Sequence, residues 1–224
     1  SWEELAVARR RLVFEELFYF SIGLALLRQR RTAEVGIRCA NGDLRGFYAL
    51  LPFQLTGAQR RAAEDAARDL TRGVPMNRLL QGDVGSGKTV VGAACVWLMA
   101  QNGYQSALMA PTEILAQQHA QTLQTLLAPS GIRVGLLTGS LRAAEKRKIY
   151  DAMATGAVDL VVGTHALLTD GVTFANLGLV ITDEQHRFGV NQRAALAQKG
   201  GAVRPHMLVM SATPIPRTLA LLLY

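Results

Sequence analysis

Short runs that are apolar at consecutive positions constrain this chain more than any other feature. Leu179-Val180-Ile181 is one of them. A strand of that kind needs protein on both of its faces, which is the condition of a parallel sheet covered by helices on each side. From Thr56 onward such runs alternate with amphipathic stretches. The periodicity predicts helices over roughly 57–72, 88–102, 112–127, 141–154, 190–198 and 216–223, and strands over roughly 78–81, 106–110, 132–137, 158–163, 178–182 and 206–210. With 50% apolar and 18% charged residues among 224, the chain has ample material for a core and is excluded from the disordered class.

The first quarter reads differently. From Trp2 to about Arg31 the pattern is helical, with Leu5, Leu12, Phe14, Leu17, Phe18 and Leu24 approximating one face. The Arg28-Gln29-Arg30-Arg31 cluster suits a helix C-terminus, where cations meet the negative end of the dipole. Residues 32–55 hold Gly36, Asn41-Gly42, Gly46 and Pro52 and read as a linker with short extended pieces. The expected organisation is therefore a helical segment and linker over 1–55, leading into an α/β unit over 56–224.

Two motifs carry chemistry. Gly82-Asp83-Val84-Gly85-Ser86-Gly87-Lys88-Thr89 fits G-x-x-x-x-G-K-[ST], with Arg78-Leu79-Leu80 as an extended lead-in and a helix from Val90 onward. Glycines let the backbone wrap a phosphate with its N–H groups, and the helix N-terminus adds its dipole. Lys88 is expected on the β- and γ-phosphates and the Thr89 hydroxyl on Mg²⁺. Leu179-Val180-Ile181-Thr182-Asp183-Glu184 then places two carboxylates at the end of a buried strand. A strand interior would not tolerate them unpaired, but its carboxyl edge beside a phosphate loop is where a metal sits. Asp183 is expected to hold Mg²⁺ through water and Glu184 to polarise the attacking water. Both motifs point to a P-loop domain of RecA type that uses Mg-ATP.

Asp183-Glu184-Gln185-His186 resembles motif II of the superfamily 2, DEAD/DEAH-like helicases, and other segments follow in that family's order. Phe53, Leu55, Thr56 and Gln59 resemble its adenine-reading glutamine motif. Ala110-Pro111-Thr112-Glu113 resembles motif Ia, Thr138-Gly139-Ser140 and Gly163-Thr164-His165 the motif Ib region, and Ser211-Ala212-Thr213 motif III. The longer strings over 183–193 and 210–220 are similar to those of RecG helicases and, in variant form, of the transcription-repair coupling factor. Gln185 and the Gln192-Arg193 pair favour RecG, and Arg11 to Arg31 resembles the helix RecG places before its motor.

The resemblance implies ATP-driven translocation on duplex DNA that remodels forks and branched junctions. It implies as partners that DNA, a second RecA-like domain supplying arginine fingers, and a wedge domain. A monomer is expected, working in a bacterial cytoplasm at the nucleoid. Gln59 would read adenine by the bidentate amide geometry that also reads adenine in DNA. Thr112 and Glu113 open a helix, so they either meet a DNA phosphate or simply cap it. Thr138, Gly139, Ser140, Thr164 and His165 follow strand ends and approach a sugar-phosphate chain or merely turn. Ser211 and Thr213 would couple hydrolysis to movement together with Gln185 and His186. The rival readings are a coupling-factor-like translocase and a nucleotide-binding scaffold without catalysis; intact Lys88, Thr89, Asp183 and Glu184 count against the scaffold.

Charge and cysteine usage agree with this picture. The net charge of +7 favours a polyanionic partner, and among 24 cations only four are lysine, so Lys88 stands out. Leu17 to Leu27 is the longest apolar run, and its eleven residues fall short of the about 20 that span a bilayer. Cys39 and Cys95 match no metal spacing, so a reducing cytosol is expected. His119 and His206 also match no metal spacing and are expected on the surface or in helix packing.

Overall fold

A computed structural model describes residues 2–32, 35–183, 195–196, 198–200 and 203–213. The chain divides into two units, Ser1–Glu34 and Val35–Tyr224. The first is one α-helix, α1 (Trp2–Thr32). Within it an Arg11–Glu15 ion pair one turn apart and a stacked Phe14–Phe18 pair, with centroids at 5.9 Å, stabilise successive turns. Its apolar residues do not gather on the single face expected. Val7, Val13, Tyr19 and Phe20 fill the remaining directions, and all four are exposed along with Leu12, Phe14 and Leu17.

The second unit is built on six strands: β1 (Asn77–Gln81), β2 (Gln105–Met109), β3 (Val134–Leu137), β4 (Leu160–Gly163), β5 (Leu177–Asp183) and β6 (His206–Ser211). Their order is β1-β6-β5-β2-β4-β3, every neighbouring pair parallel. Alternation along the strands sorts the core into two layers. Leu108, Val162, Leu179, Ile181, Leu208 and Met210 face one side, while Ala107, Met109, Val161 and Val180 face the other. Both layers are buried, as the doubly apolar runs require. Helices α3 (Gly57–Leu70), α4 (Lys88–Gln101) and α5 (Glu113–Leu127) supply residues to the first layer. On the second side Met153 of α6 (Ala143–Ala154) packs with Leu167, Val172 and Leu196. This is the expected α/β layout.

Strands β3 and β4 begin two residues later than the apolar pattern suggests. The reason lies in Asp159, whose carboxylate takes the Arg133 backbone N–H at 2.8 Å and its guanidinium at 2.8 and 2.9 Å. Side-chain pairing is added there to backbone bonds from the Asp159 and Leu160 N–H groups to the Arg133 carbonyl, and the arginine holds the Asp159 carboxyl below its usual range. The helix expected over 190–198 falls partly, and that over 216–223 wholly, outside the described residues.

Residues 35–55 belong to the second unit rather than to a linker. Ile37, Cys39, Leu44 and Phe47 are buried in the first core layer, and a short helix, α2 (Arg45–Leu50), sets Phe47 against Trp97. Backbone bonds from Gly36 to Gly73 and from Cys39 to Leu70 fasten the segment. Ile37, Cys39 and Leu44 stand apart among glycine, asparagine and aspartate, and the run from Phe47 to Leu51 is too short before Pro52 to show a period, so none announced their burial. The two thiols are free and buried, and burial pushes Cys39 up to about 11 and Cys95 up to about 12. They act as small apolar side chains. No described helix is long and apolar enough to cross a membrane.

His206 is fully buried at the start of β6, where its Nδ1 accepts the Met76 N–H at 2.9 Å. Burial drives its pKa down to about 4, so the folded chain holds it neutral. Below about 6.5 the unfolded chain binds a proton that the folded chain refuses, so stability falls as pH drops toward 4. Between pH 7 and pH 5 this group should remove about 2 kcal/mol. Urea unfolding of His206→Gln at the two pH values should show a decline smaller by that amount; equal declines would assign the acid sensitivity elsewhere.

Candidate functional site

Because all six strands run the same way, every loop that follows a strand emerges along one edge. The segments singled out by their motifs follow β1, β2, β3, β4, β5 and β6. Strand β6 lies between β1 and β5, and it aligns Gln81 with Ser211 and Asp183 with Met210. The Gly82 N–H donates to the Ser211 carbonyl at 3.2 Å, so the glycine loop starts against the tip of β6. Beyond it the Ser211 and Thr213 hydroxyls stand 3.1 Å apart.

The loop itself is shaped by two left-handed residues, Gly85 (φ +81°) and Gly87 (φ +80°), the second capping α4. A tight turn closes between the Ser86 N–H and the Asp83 carbonyl at 3.1 Å. The Lys88 ammonium folds back onto the Gly82 and Asp83 carbonyls at 2.6 and 2.8 Å. These bonds hold a cation over the loop mouth, where an anion bound by the loop would replace the carbonyls as its partner.

Gln59 reaches this loop from another helix. Thr56 and Gln59 form a reciprocal capping box at the start of α3, the Thr56 N–H donating to Gln59 Oε1 at 2.9 Å and the Gln59 N–H to Thr56 Oγ1 at 3.2 Å. Gln59 Nε2 then donates to the Ser86 carbonyl at 2.9 Å. An amide has two acceptor sites and two N–H bonds, so one of each remains for a bidentate ligand. Leu55 packs on the core beside this box, and Phe53 is half exposed.

A cleft of about 720 Å³ opens along the edge, lined by Val84, Gly85, Gly87, Lys88, Thr89, Pro111, Thr112, Leu115, His119, Asp183, Met210 and Ala212, among others. It is large enough for a nucleotide. Thr89 and Asp183 meet there as a hydroxyl and a carboxylate, an oxygen donor set that fits a hard divalent cation sharing its shell with phosphate and water. Among the described residues no cluster of three or more His, Cys, Asp or Glu could hold a metal by itself. Glu184, Gln185 and His186 lie outside the described residues.

One cleft residue was missed by the sequence reading. His119 Nε2 lies 2.8 Å from Asp183 Oδ2, with both side chains largely buried. It stands seven residues after Thr112 and four after Leu115, on one face of α5, and that helical spacing was the available signal.

The loops past β2, β3 and β4 form a second cluster. Thr112 caps α5 by accepting the Leu115 N–H at 3.3 Å. Glu113 accepts the Ser140 N–H at 3.0 Å, and hydrogen bonding from the Ser140 side chain first, then from the Ser140 and Gly139 backbone, with the Lys146 charge adding to it, holds its carboxyl below the usual range. Lys146 also ties down the Gly139 carbonyl at 2.7 Å. Thr112, Gly139, Ser140 and His165 are exposed, whereas Thr138 and Thr164 are buried. Thr138 spends its hydroxyl on Ser140 at 3.1 Å. In this arrangement the two buried threonines shape the loops and the exposed residues present them.

A family model described as DEAD/DEAH box helicase matches residues 56–222. The chain is 52% identical to the ATP-dependent DNA helicase RecG of Synechocystis sp., over 99% of this chain and 27% of that protein. It is 51% identical to that of Aquifex aeolicus, over 96% and 27%, and 49% identical to that of Streptococcus pneumoniae, over 97% and 32%. The chain thus spans about a quarter to a third of the length of these relatives. A solved structure of RecG bound to a three-way DNA junction matches with a TM-score of 0.85 at 44% identity, covering 100% of this chain and 30% of that one. The UvsW helicase of bacteriophage T4 matches at 0.59 and 16% identity, over 80% of this chain and 62% of that one, a likeness of fold.

The loop geometry carries a test of its own. An added Cβ at Gly85 meets nothing within 4 Å, whereas at Gly87 it would overlap Gln59 Nε2. Gly85→Ala should cost about 1 kcal/mol for the left-handed backbone alone, and Gly87→Ala distinctly more. In a double-mutant cycle by urea unfolding, Gln59→Ala should relieve the excess at Gly87 and leave Gly85 unaffected. Equal costs at the two glycines would remove Gln59 from the loop.

Proposed function

The chain belongs to the DEAD/DEAH box helicase family, and from that premise we propose that it is the ATP-binding part of a RecG-type motor that translocates on forked and branched DNA. The observation that carries the reading is the meeting of Lys88, Thr89 and Asp183 in one cleft, on the same sheet edge as the exposed loops at Thr112, Ser140 and His165. Relatives named RecG at about half identity along nearly the whole chain support the particular family member. The junction-bound RecG structure supports branched DNA as the substrate class. Gln185, Gln192 and Arg193 favour RecG over the coupling factor on sequence alone.

In this reading the residues divide the work. The loop N–H groups and Lys88 receive the β- and γ-phosphates, and Gln59 offers its spare N–H and acceptor to adenine. Thr89 and Asp183 hold Mg²⁺, which supplies charge neutralisation for phosphoryl transfer when bound. Glu184 orients and polarises the attacking water. Ser211 and Thr213 sit where a change at the phosphate loop reaches β6. A second RecA-like domain supplies arginine fingers, worth roughly 10³ to 10⁵ in rate in related phosphoryl transfer. A wedge domain parts strands at the junction while the motor draws duplex in.

In the intact protein Lys88→Ala should abolish most ATP hydrolysis, and Glu184→Gln should keep Mg-ATP binding while nearly stopping turnover. Hydrolysis by Lys88→Ala within a few-fold of the parent would sink the nucleotide-site reading.

The DNA reading has a separate test. Hydrolysis should run fastest on forked or four-way DNA, without sequence preference, and fall markedly between 50 and about 200 mM salt as phosphate contacts weaken. Equal stimulation by linear and branched duplex, with displacement of stalled RNA polymerase, would favour the coupling-factor reading instead.

A further inference from the structure

We infer that His119 is a positioning residue for the metal-binding carboxylate, setting the plane of Asp183 through a hydrogen bond donated from α5. This rests on the reading of Asp183 as the Mg²⁺ ligand. An ionised carboxylate only accepts hydrogen bonds, so Nε2 carries the proton in the 2.8 Å contact with Oδ2. The two side chains are only 14% and 13% exposed, so little water competes for the bond.

Asp183 is the last residue of β5, in register with Met210 at the tip of β6. A side chain at a strand tip has rotameric freedom that the ladder does not remove, and a donor fixed on a neighbouring helix removes it. Helix α5 is a firm base for that donor. Ala116, Ala120 and Leu123 are buried beneath it, and Thr112 caps its start. A bond spent on Oδ2 leaves Oδ1 without that donor and turned with the same plane, the geometry by which outer partners orient carboxylates and imidazoles at metal sites.

The test is the Mg²⁺-dependent tightening of a fluorescent ADP, measured by titration with and without Mg²⁺ in the intact protein. His119→Phe keeps a ring and His119→Leu an apolar body, but neither has a donor; His119→Gln keeps an N–H. Loss of an outer-shell partner costs about 10- to 100-fold in metal affinity, so the Phe and Leu variants should lose about tenfold of the Mg²⁺ effect and the Gln variant much less. Metal-free ADP affinity should change far less than the Mg²⁺ effect in the Phe and Leu variants. An unchanged Mg²⁺ effect in the donorless variants would overturn the inference. So would an equal loss with and without metal, which marks a packing role. If the parent protein itself shows no Mg²⁺-dependent binding, the nucleotide-site reading fails and takes this inference with it.

Discussion

The insertion of β6 between β1 and β5 is the constraint on which the rest of the site depends. Parallel ladders on both of its sides bring Gln81, Ser211 and Asp183 to one edge, although they lie up to 130 residues apart in sequence. The Gly82 N–H completes the β1 ladder on the Ser211 carbonyl, so the phosphate loop begins as an extension of the sheet. At the other end of β6 the same strand buries His206 against the Met76 N–H and passes the Met207 N–H to the Met76 carbonyl at 2.7 Å. Displacing β6 would therefore separate the loop from the acidic strand and orphan buried polar groups at once.

Several site residues serve structure and chemistry with the same atoms. Gln59 closes the capping box of α3 and also holds the Ser86 carbonyl, so the start of a helix and the shape of the loop are one network. Glu113 opens α5 and fixes the Ser140 loop. Helix α5 links the two ends of the edge: its cap stands among the exposed loops, and its second turn carries His119 to Asp183. A ligand felt at either end meets a rigid element shared with the other, because α5 buries one whole face in the core.

Much of this was legible before any coordinate. Doubly apolar runs demand a covered parallel sheet, since one exposed face would strand them in water. The run from Gly82 to Thr89 fits a phosphate loop, since its glycines let backbone N–H groups wrap an anion ahead of a helix. Asp183 after such a run marks the carboxyl edge. These inferences work because each rests on chemistry confined to a few neighbouring residues. The period failed where apolar residues stood apart or formed one short run ahead of a proline, and so residues 35–55 passed for a linker although Phe47 is fully buried.

Tertiary structure alone decided what depends on strand order and depth. Nothing local in Thr138 or Thr164 tells a buried hydroxyl from an exposed one; the packing of their loops does. Nothing in the run from Thr112 to His119 names Asp183 as the partner, because that contact joins residues 64 apart and exists only once β5 lies beside β2. Sequence by itself determined the kinds of elements and the chemistry each could carry, since these follow from backbone period and side-chain type. Which carboxylate meets which donor was settled by the order of the strands, because a parallel sheet converts separation along the chain into adjacency along one edge.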